Sequence, residues 1–365
     1  RVVATTTNEY GWKNQSWDPI KIGVFSREDS IECLLRITDS EDREAADAVA
    51  QKLGDLPLAI VQAGATAYEE DFTLDEYLTC LDDYSSRAGH GNNEIIRPID
   101  GDSYTDGAFD ALFIAANVAL NKLGDRLCEV GRRQLGGLAL LAQSGVPTRW
   151  IAPLPDDNRR ALTRLVKMSV VQQSADETKT ITMLHRLQAQ VLRKNWGKGK
   201  TATREEAFDA AVEILGRTKY EQLPSNATDA RRCEVRDLIA QLSAIAIQDY
   251  SRPLFEREQV RGYLNRAFKY ADDLGLVYEA VELDVAVAVV EDVLGPDHPV
   301  TLTVRNNLAG AYDSAGHLAE AIDAEEELLL DCQRVLGADH PDTLGVRNNL
   351  ALAYISVGRI GEAME

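Results

Sequence analysis

Apolar residues recur at intervals of three and four along most of the chain, which predicts a mainly α protein. Local end signals support several of these helices. Ser26 can cap a helix, Gly54 can end one, and Pro57 fits a first helical turn because its missing N–H needs no partner there. The predicted helices begin near Ser26, Asp42, Pro57, Asp71, Ala108, Arg126, Asn158 and Arg186.

Segments with strand character are few and short. Residues 2–7 form a β-branched run, a short β element at the start of the chain, and a turn is expected at residues 145–147. Residues 169–171 and 180–183 are β-rich and flank a polar turn. Three helices followed by this hairpin, with another helix directly after it, are in the order of a winged-helix domain.

A stretch rich in Gly, Asn, Asp and Ser over residues 84–107 predicts a linker and a domain boundary. A second break, rich in Lys and Gly, follows residue 197. The expected divisions are a strand and linker at 1–24, a small helical domain at 25–85, a linker at 86–107, a winged helix at 108–197, a helical connector at 198–262 and repeats at 263–365.

The final hundred residues contain an internal repeat. Residues 295–323 match residues 337–365 at 18 of 29 positions after a shift of 42, far more than chance allows. The clearer copy predicts a helix pair at 301–315 and 318–336, and a fainter copy begins near residue 264. One pair cannot bury its own apolar face, so such units stack into an α-solenoid with a concave side.

Charge limits the partners of the repeats. The chain carries 39 basic and 59 acidic side chains, and residues 271–365 hold 19 of the acidic but only 4 of the basic ones. This segment repels phosphate backbones, so we expect a protein surface or a basic peptide as partner and no nucleic acid. Residues 325–327, three consecutive glutamates, are expected on a solvated helix face.

The five cysteines are far apart and odd in number, which argues against a disulfide framework or a zinc site. The sequence contains no run of 18 apolar residues and no leader, so we expect no membrane contact and a cytoplasmic location. The chain begins without Met and ends partway through a repeat, and we interpret it as an internal segment of a larger protein.

The motif G-x-D-H-P-x-T-L, followed by R-N-N-L-A-x-A-Y, resembles the tetratricopeptide repeats of kinesin light chains over roughly residues 263–365. The resemblance implies a groove that binds a protein or peptide. The residues implicated are Asn306, Asn307, Asn348, Asn349, Arg305 and Arg347. The asparagines could instead be satisfied polar groups between helices. His298 and His340 recur one residue after an aspartate, a pattern that favours turn capping over metal binding.

The N-terminal part resembles the second half of a STAND-type NTPase module of the NB-ARC class, in which P-loop, helical and winged-helix domains close around ADP. Residues 2–7 look like the last strand of the P-loop domain, with Thr7 in the place of the family's sensor arginine. Residues 54–59 correspond to the family's Gly-x-Pro-Leu-Ala motif, and His185 to its Met-His-Asp motif, with Arg186 replacing the aspartate. The resemblance implies that Thr6, Thr7, Pro57, Leu58 and His185 face the nucleotide.

The resemblance also implies ADP or ATP, with Mg²⁺, as cofactor of the longer protein. The phosphate-cradling sequence G-x-x-x-x-G-K-[ST] is absent from the 365 residues, so we expect this chain neither to hydrolyse ATP nor to hold nucleotide tightly. Simpler interpretations stay open. Pro57 could be purely a helix start, His185 a histidine bonded to a backbone carbonyl, and residues 5–7 plain strand formers.

Two hypotheses for function follow. The first is a nucleotide-gated signalling switch, in which the repeats sense a protein ligand and exchange of ADP for ATP licenses self-association. The alternative is a passive scaffold with a decayed nucleotide module, which Thr7 favours. A DNA-binding factor is a weaker third hypothesis, because residues 158–168 carry only four cations. Slow ATP hydrolysis by the longer protein stays open.

Overall fold

The computed structural model describes residues 23–87, 106–153, 156–175 and 179–364. Within these residues the protein is mainly helical, as the sequence predicts. Thr6, Thr7 and the strand expected at residues 2–7 lie outside the described residues, as does most of the expected linker. The chain divides into two compact units, the first containing residues 1–132, 155–172 and 190–201, and the second containing the remainder.

The helices of the first unit include four that precede the linker: α1 (Arg27–Thr38), α2 (Arg43–Lys52), α3 (Pro57–Glu70) and α4 (Leu74–Arg87). After the linker, the first unit contains α5 (Asp106–Asn121), the start of α6 (Gly124–Leu138), α8 (Asp157–Lys167) and the end of α9 (Arg186–Lys194). The short helix α7 (Thr148–Ile151) lies in the second unit.

Helices α1, α2 and α3 pack together, and α3 also packs on α5. The predicted cap is confirmed, because the side chain of Ser26 accepts a hydrogen bond from the N–H of Asp29. The start predicted for α4 near Asp71 is three residues early. Asp71 has a φ of 61° and ends α3, whereas Thr73 and Glu76 bond reciprocally to each other's backbone and open α4.

The second unit contains a three-stranded sheet in the order β1-β3-β2, with strands β1 (Val146–Pro147), β2 (Gln172–Ala175) and β3 (Thr180–Met183). Strand β3 has the predicted bounds. The turn predicted at residues 145–147 is wrong, because Val146 and Pro147 pair antiparallel with β3. The strand predicted at residues 169–171 is also wrong. Ser169, at a φ of 55°, follows the end of α8, and its carbonyl accepts a bond from Gln62.

Further helices of the second unit connect the sheet to the repeats: α10 (Arg204–Leu215), α11 (Thr228–Ile247) and two short 3₁₀ helices, Tyr220–Gln222 and Arg252–Glu256. The repeats comprise α12 (Glu258–Leu274), α13 (Val277–Val281), α14 (Asp284–Leu294), α15 (Pro299–Ser314), α16 (Leu318–Val335), α17 (Pro341–Ser356) and α18 (Ile360–Ala363). The predicted helix pair is confirmed to within two residues. Among the described helices, none is long and apolar enough to cross a membrane.

Candidate functional site

The asparagines of the repeats form hydrogen bonds from one repeat to the next. The amide of Asn307 donates to Oδ1 of Asn265 on α12 at 3.1 Å, and the amide of Asn349 donates to Oδ1 of Asn306 at 3.3 Å. Asn348 is exposed and has no such bond within the described residues. The second asparagine of each pair therefore holds neighbouring repeats in register.

The two equivalent arginines differ in their surroundings. Arg305 is half-buried on α15 and donates to Asp331 of α16 at 2.8 Å, with Glu327 at 3.9 Å. Arg347 occupies the same place on α17, but it is exposed and has no ion-pair partner among the described residues. The position equivalent to Asp331 for Arg347 is 373, beyond the 365 residues, so this contrast holds only for the described residues.

The acidic charge of the repeats does not lie on the helices that carry the asparagines, α12, α15 and α17. Helix α16 has six carboxylates and one basic side chain, and α14 has three carboxylates and no basic side chain. Helix α12 has three of each sign, and α15 and α17 have one of each. The acidic character that suggested a basic peptide therefore belongs to α14 and α16.

The glutamate run is not a solvated face throughout, which corrects the prediction for Glu325. Glu325 is 1% exposed, on the side of α16 that also buries Ile322 and Leu328. Burial, together with the charge of Asp313, raises the pKa of Glu325 to about 7. The prediction fails because α16 packs against both α15 and α17, which a run of charge does not reveal.

The recurring histidines cap helices, as their position favours. Nδ1 of His298 accepts from the N–H of Val300 at 3.1 Å, and Nδ1 of His340 accepts from the N–H of Asp342 at 3.2 Å. Each bond satisfies a backbone donor of the first helical turn. Within the described residues, no group of three His, Cys, Asp or Glu side chains could hold a metal ion.

Pro57 opens α3 in the first unit, as predicted. Leu56 precedes it and supplies no capping side chain, so the positively polarised end of the helix lacks a side-chain acceptor. Asp55 holds the preceding turn in place through two bonds of 2.9 Å from Arg27, although its own φ is 55°. Pro57 and Leu58 are half-buried, so both still meet solvent at the start of the helix.

His185 follows β3 in the second unit and directly precedes α9. Its Nδ1 accepts from the N–H of Leu187 at 3.2 Å, so the proton of the neutral ring is on Nε2. Partial burial and the charge of Arg186 lower the pKa of His185, which favours this neutral form. The side chain retains access to solvent, and Nε2 has no bond within the described residues. His185 therefore presents a neutral N–H donor.

Comparisons with known proteins agree on the repeats. A tetratricopeptide repeat family model matches residues 301–342. Over 50 residues the chain is 50% identical to Protein KINESIN LIGHT CHAIN-RELATED 3 of Arabidopsis thaliana, a match that spans 13% of this chain but only 8% of that relative. The chain therefore contains tetratricopeptide repeats with kinesin light chain-like homologues.

The chain is also similar to solved structures of two kinds of protein. The putative kinesin light chain repeats of Podosopora anserina are 22% identical, with a TM-score of 0.28, 48% of this chain covered and 87% of that one. A STAND protein with a tetratricopeptide repeat sensor from Pyrococcus horikoshii is 10% identical, with a TM-score of 0.29, 92% of this chain covered and 51% of that one.

Two contacts and one buried side chain of the repeats were not predicted from the sequence. Asn265 was overlooked because the fainter repeat has only one asparagine at that position, although it aligns with Asn307 at a shift of 42. The ion pair between Arg305 and Asp331 joins residues on different helices, and no local pattern identifies it. The burial of Glu325 depends on neighbouring helices in the same way.

Proposed function

We propose that the repeats bind a protein segment along α12, α15 and α17, and that this chain belongs to a nucleotide-gated switch in which that binding is the input. The observation that carries the first part is the series of asparagine bonds that joins these helices from one repeat to the next. These bonds fix the spacing of the repeats, so the three helices can present a continuous surface to an extended chain. Arg347 and Asn348 are exposed on α17 and supply donors at that surface.

The ligand of these helices need not be basic. Positive charge on an approaching chain would be drawn to α14 and α16, where the carboxylates are concentrated, whereas α12, α15 and α17 carry balanced charge. Hydrogen bonds from asparagine and arginine to peptide carbonyls or carboxylates fit these helices better. The proposed partner is therefore a protein segment chosen by hydrogen bonding more than by net charge.

Selection of random linear peptides on the immobilised protein supplies a probe for this binding. We expect the selected peptides to lose affinity about tenfold or more when Arg347 and Asn348 are both replaced by alanine. Arg334→Ala on α16 is the matched control, since it removes an exposed arginine from the other helix of a pair. Equal binding to the doubly substituted protein and the wild type would refute this location.

The nucleotide part of the proposal is supported by two features, one in each unit. Pro57 begins a helix whose first N–H groups have no side-chain acceptor, and His185 offers an unbonded Nε2–H. Each group, taken by itself, suits an anionic ligand such as a phosphate. Pro57 and His185 also occupy positions that the NB-ARC resemblance implicates, although two residues separate Gly54 from Pro57 and Arg186 replaces the family's aspartate.

The natural full-length protein tests this part. After purification and denaturation it should release ADP in near-stoichiometric amount, and His185→Ala should retain much less. His298→Ala is a matched control, because His298 makes the same capping bond in the repeats. A loss of ADP in both variants would attribute the effect to helix capping, and no ADP in the wild type would leave the passive adaptor, which Thr7 favours, as the function.

A further inference from the structure

Helix α11 (Thr228–Ile247) makes specific polar contacts on two opposite faces. Glu234, Asp237 and Gln241 lie on one face, and Arg232, Arg236 and Ser243 lie on the other, because successive residues of an α-helix are rotated by about 100°. Both faces bond to neighbours within the second unit. Helix α11 thus forms polar contacts with two separate groups of elements, one on each of its faces.

The first face holds two carboxylates that are almost fully buried. Glu234 is 4% exposed, and its oxygens accept from Arg149 at 2.6 Å and from the indole N–H of Trp150 at 3.0 Å. Asp237 is 7% exposed and accepts from Arg149 and from Lys179, both at 2.7 Å. Buried carboxylates need these donors, so α11 cannot shift away from them without leaving charge unpaired.

These donors surround the strand that leads to His185. Lys179 immediately precedes β3, and Arg149 follows β1, which pairs with β3. A hydrogen bond of 2.8 Å between Thr148 and Thr182 joins α7, the helix that contains Arg149, to β3. Since His185 is two residues beyond β3, the position of α11 determines where the chain presents it.

The opposite face of α11 bonds to the first repeat. Arg232 donates to the carbonyl of Leu274 at the end of α12 at 3.0 Å, and Arg236 pairs with Glu279 of α13 at 2.8 Å. Ser243 donates to the carbonyl of Glu282 at 3.0 Å. A movement of α12 relative to α13 would break or displace these bonds and would therefore shift or loosen α11.

We propose that α11 couples the repeats to the strand carrying His185, with Glu234 and Asp237 as the positioning residues that transmit the motion. The inference rests on the proposed function, because His185 matters only if it contacts a ligand. The mechanical coupling across α11 can be tested separately from nucleotide binding. Loosening either face of α11 should loosen the structure bonded to the other face, as coupling between two sites requires.

Hydrogen exchange on the complete chain tests this coupling without any ligand. Arg236→Ala removes the exposed pair with Glu279 and should speed amide exchange in β3 by roughly three- to tenfold. Arg334→Ala removes an ion pair within the repeats that does not involve α11, and it should leave β3 unchanged. Equal exchange of β3 in the wild type and Arg236→Ala would overturn the proposal.

The reciprocal variant separates coupling from a local structural effect. Lys179→Met breaks one bond to Asp237 and should speed exchange at residues 274–282, on the far side of α11, while Lys179→Arg should restore it. A change confined to the hairpin would overturn the coupling.

ADP binding by the natural full-length protein gives an independent readout. If ADP does not bind but both exchange effects are found, the proposed nucleotide function fails and the coupling stands. If ADP binds and the exchange effects are absent, the coupling fails and the nucleotide function stands.

Discussion

Helices α15 and α17 share the sequence R-N-N-L-A-x-A-Y, yet equivalent side chains on them have different surroundings. Leu302 is 4% exposed and Leu344, its equivalent, is 46% exposed. Arg305 is paired with Asp331, whereas Arg347 is free in the described residues. Features within one turn of a helix are the same in both copies, while features that involve another helix differ.

The neighbours of each helix explain the difference. Helix α15 packs against α12, α13, α14 and α16, whereas α17 packs mainly against α16 and the short α18. A side chain on α15 is therefore enclosed by helices before and after it in the chain. The same side chain on α17 is covered from one direction, because the described residues end at 364, soon after this helix. Within the described residues, the repeated sequence thus specifies the helix, and the presence of neighbouring helices decides whether a position is buried.

The largest expected effect comes from the leucines. Leu302→Ala should lower the free energy of unfolding by about 2–4 kcal/mol, because it leaves a cavity beside Leu328 and Val346. Leu344→Ala should cost about 1 kcal/mol or less, since much of that side chain is already in water. Urea unfolding followed by circular dichroism measures both. Similar losses for the two variants would contradict the comparison.

The same distinction explains how much the sequence could predict. The start of α3 at Pro57, the cap at Ser26 and the bounds of β3 depend on local chemistry, and the sequence predicts them correctly. The pairing of Val146 with β3 could not be predicted, because Gly145 and Pro147 form a local turn signal while the partner strand is some thirty-five residues away. The prediction that Glu325 is exposed failed for the same reason, because its burial depends on helices elsewhere in the chain.

At the candidate sites, residue types could be predicted better than their availability. The asparagine motif identified helices α15 and α17, but not that Asn307 and Asn349 would be bonded between repeats. His185 was placed correctly at the start of a helix, and its tautomer became known only from the bond to Leu187. Whether a polar side chain is free to bind a ligand depends on the residues packed around it, so it can be determined only from the folded structure.

The next largest expected effect is the change in the free energy of unfolding with pH that Glu325 causes. Its pKa is raised to about 7, so the folded state keeps the proton that the unfolded chain releases above its ordinary range. The free energy of unfolding should therefore fall as pH rises from about 4.5 to 7 and stay low above that. Glu325→Gln should remove this fall and stabilise the protein at pH 8 by up to about 3 kcal/mol.

The apolar residues around Glu325 show why its charge is costly. Ile322 and Leu328 are buried on the same side of α16, so a carboxylate there loses its contact with water. Asp323→Asn is the control, because it removes a carboxylate from the exposed side of the same helix. Urea midpoints measured from pH 4.5 to 8 distinguish the variants. The assignment fails if Asp323→Asn and Glu325→Gln have the same pH profile.

The arginines should show a smaller contrast. Arg305→Ala should cost about 1 kcal/mol, because it removes a half-buried pair with Asp331 although Arg334 still bonds to that carboxylate. Arg347→Ala should change stability by only a few tenths of a kcal/mol, since an exposed side chain without a partner contributes little. Urea unfolding of the two single variants tests this order, and a larger loss for Arg347→Ala would reverse it.

The smallest expected difference is between the two capping histidines. His298→Ala and His340→Ala each remove one acceptor from a first-turn N–H, so each should cost about 1 kcal/mol, and the two losses should agree within a few tenths. His317→Ala is the control, because His317 precedes α16 without making a capping bond. Since a cap is a local contact, the number of neighbouring helices should not matter. A much larger loss for His298→Ala would show that packing around α15, and not the cap, determines its contribution.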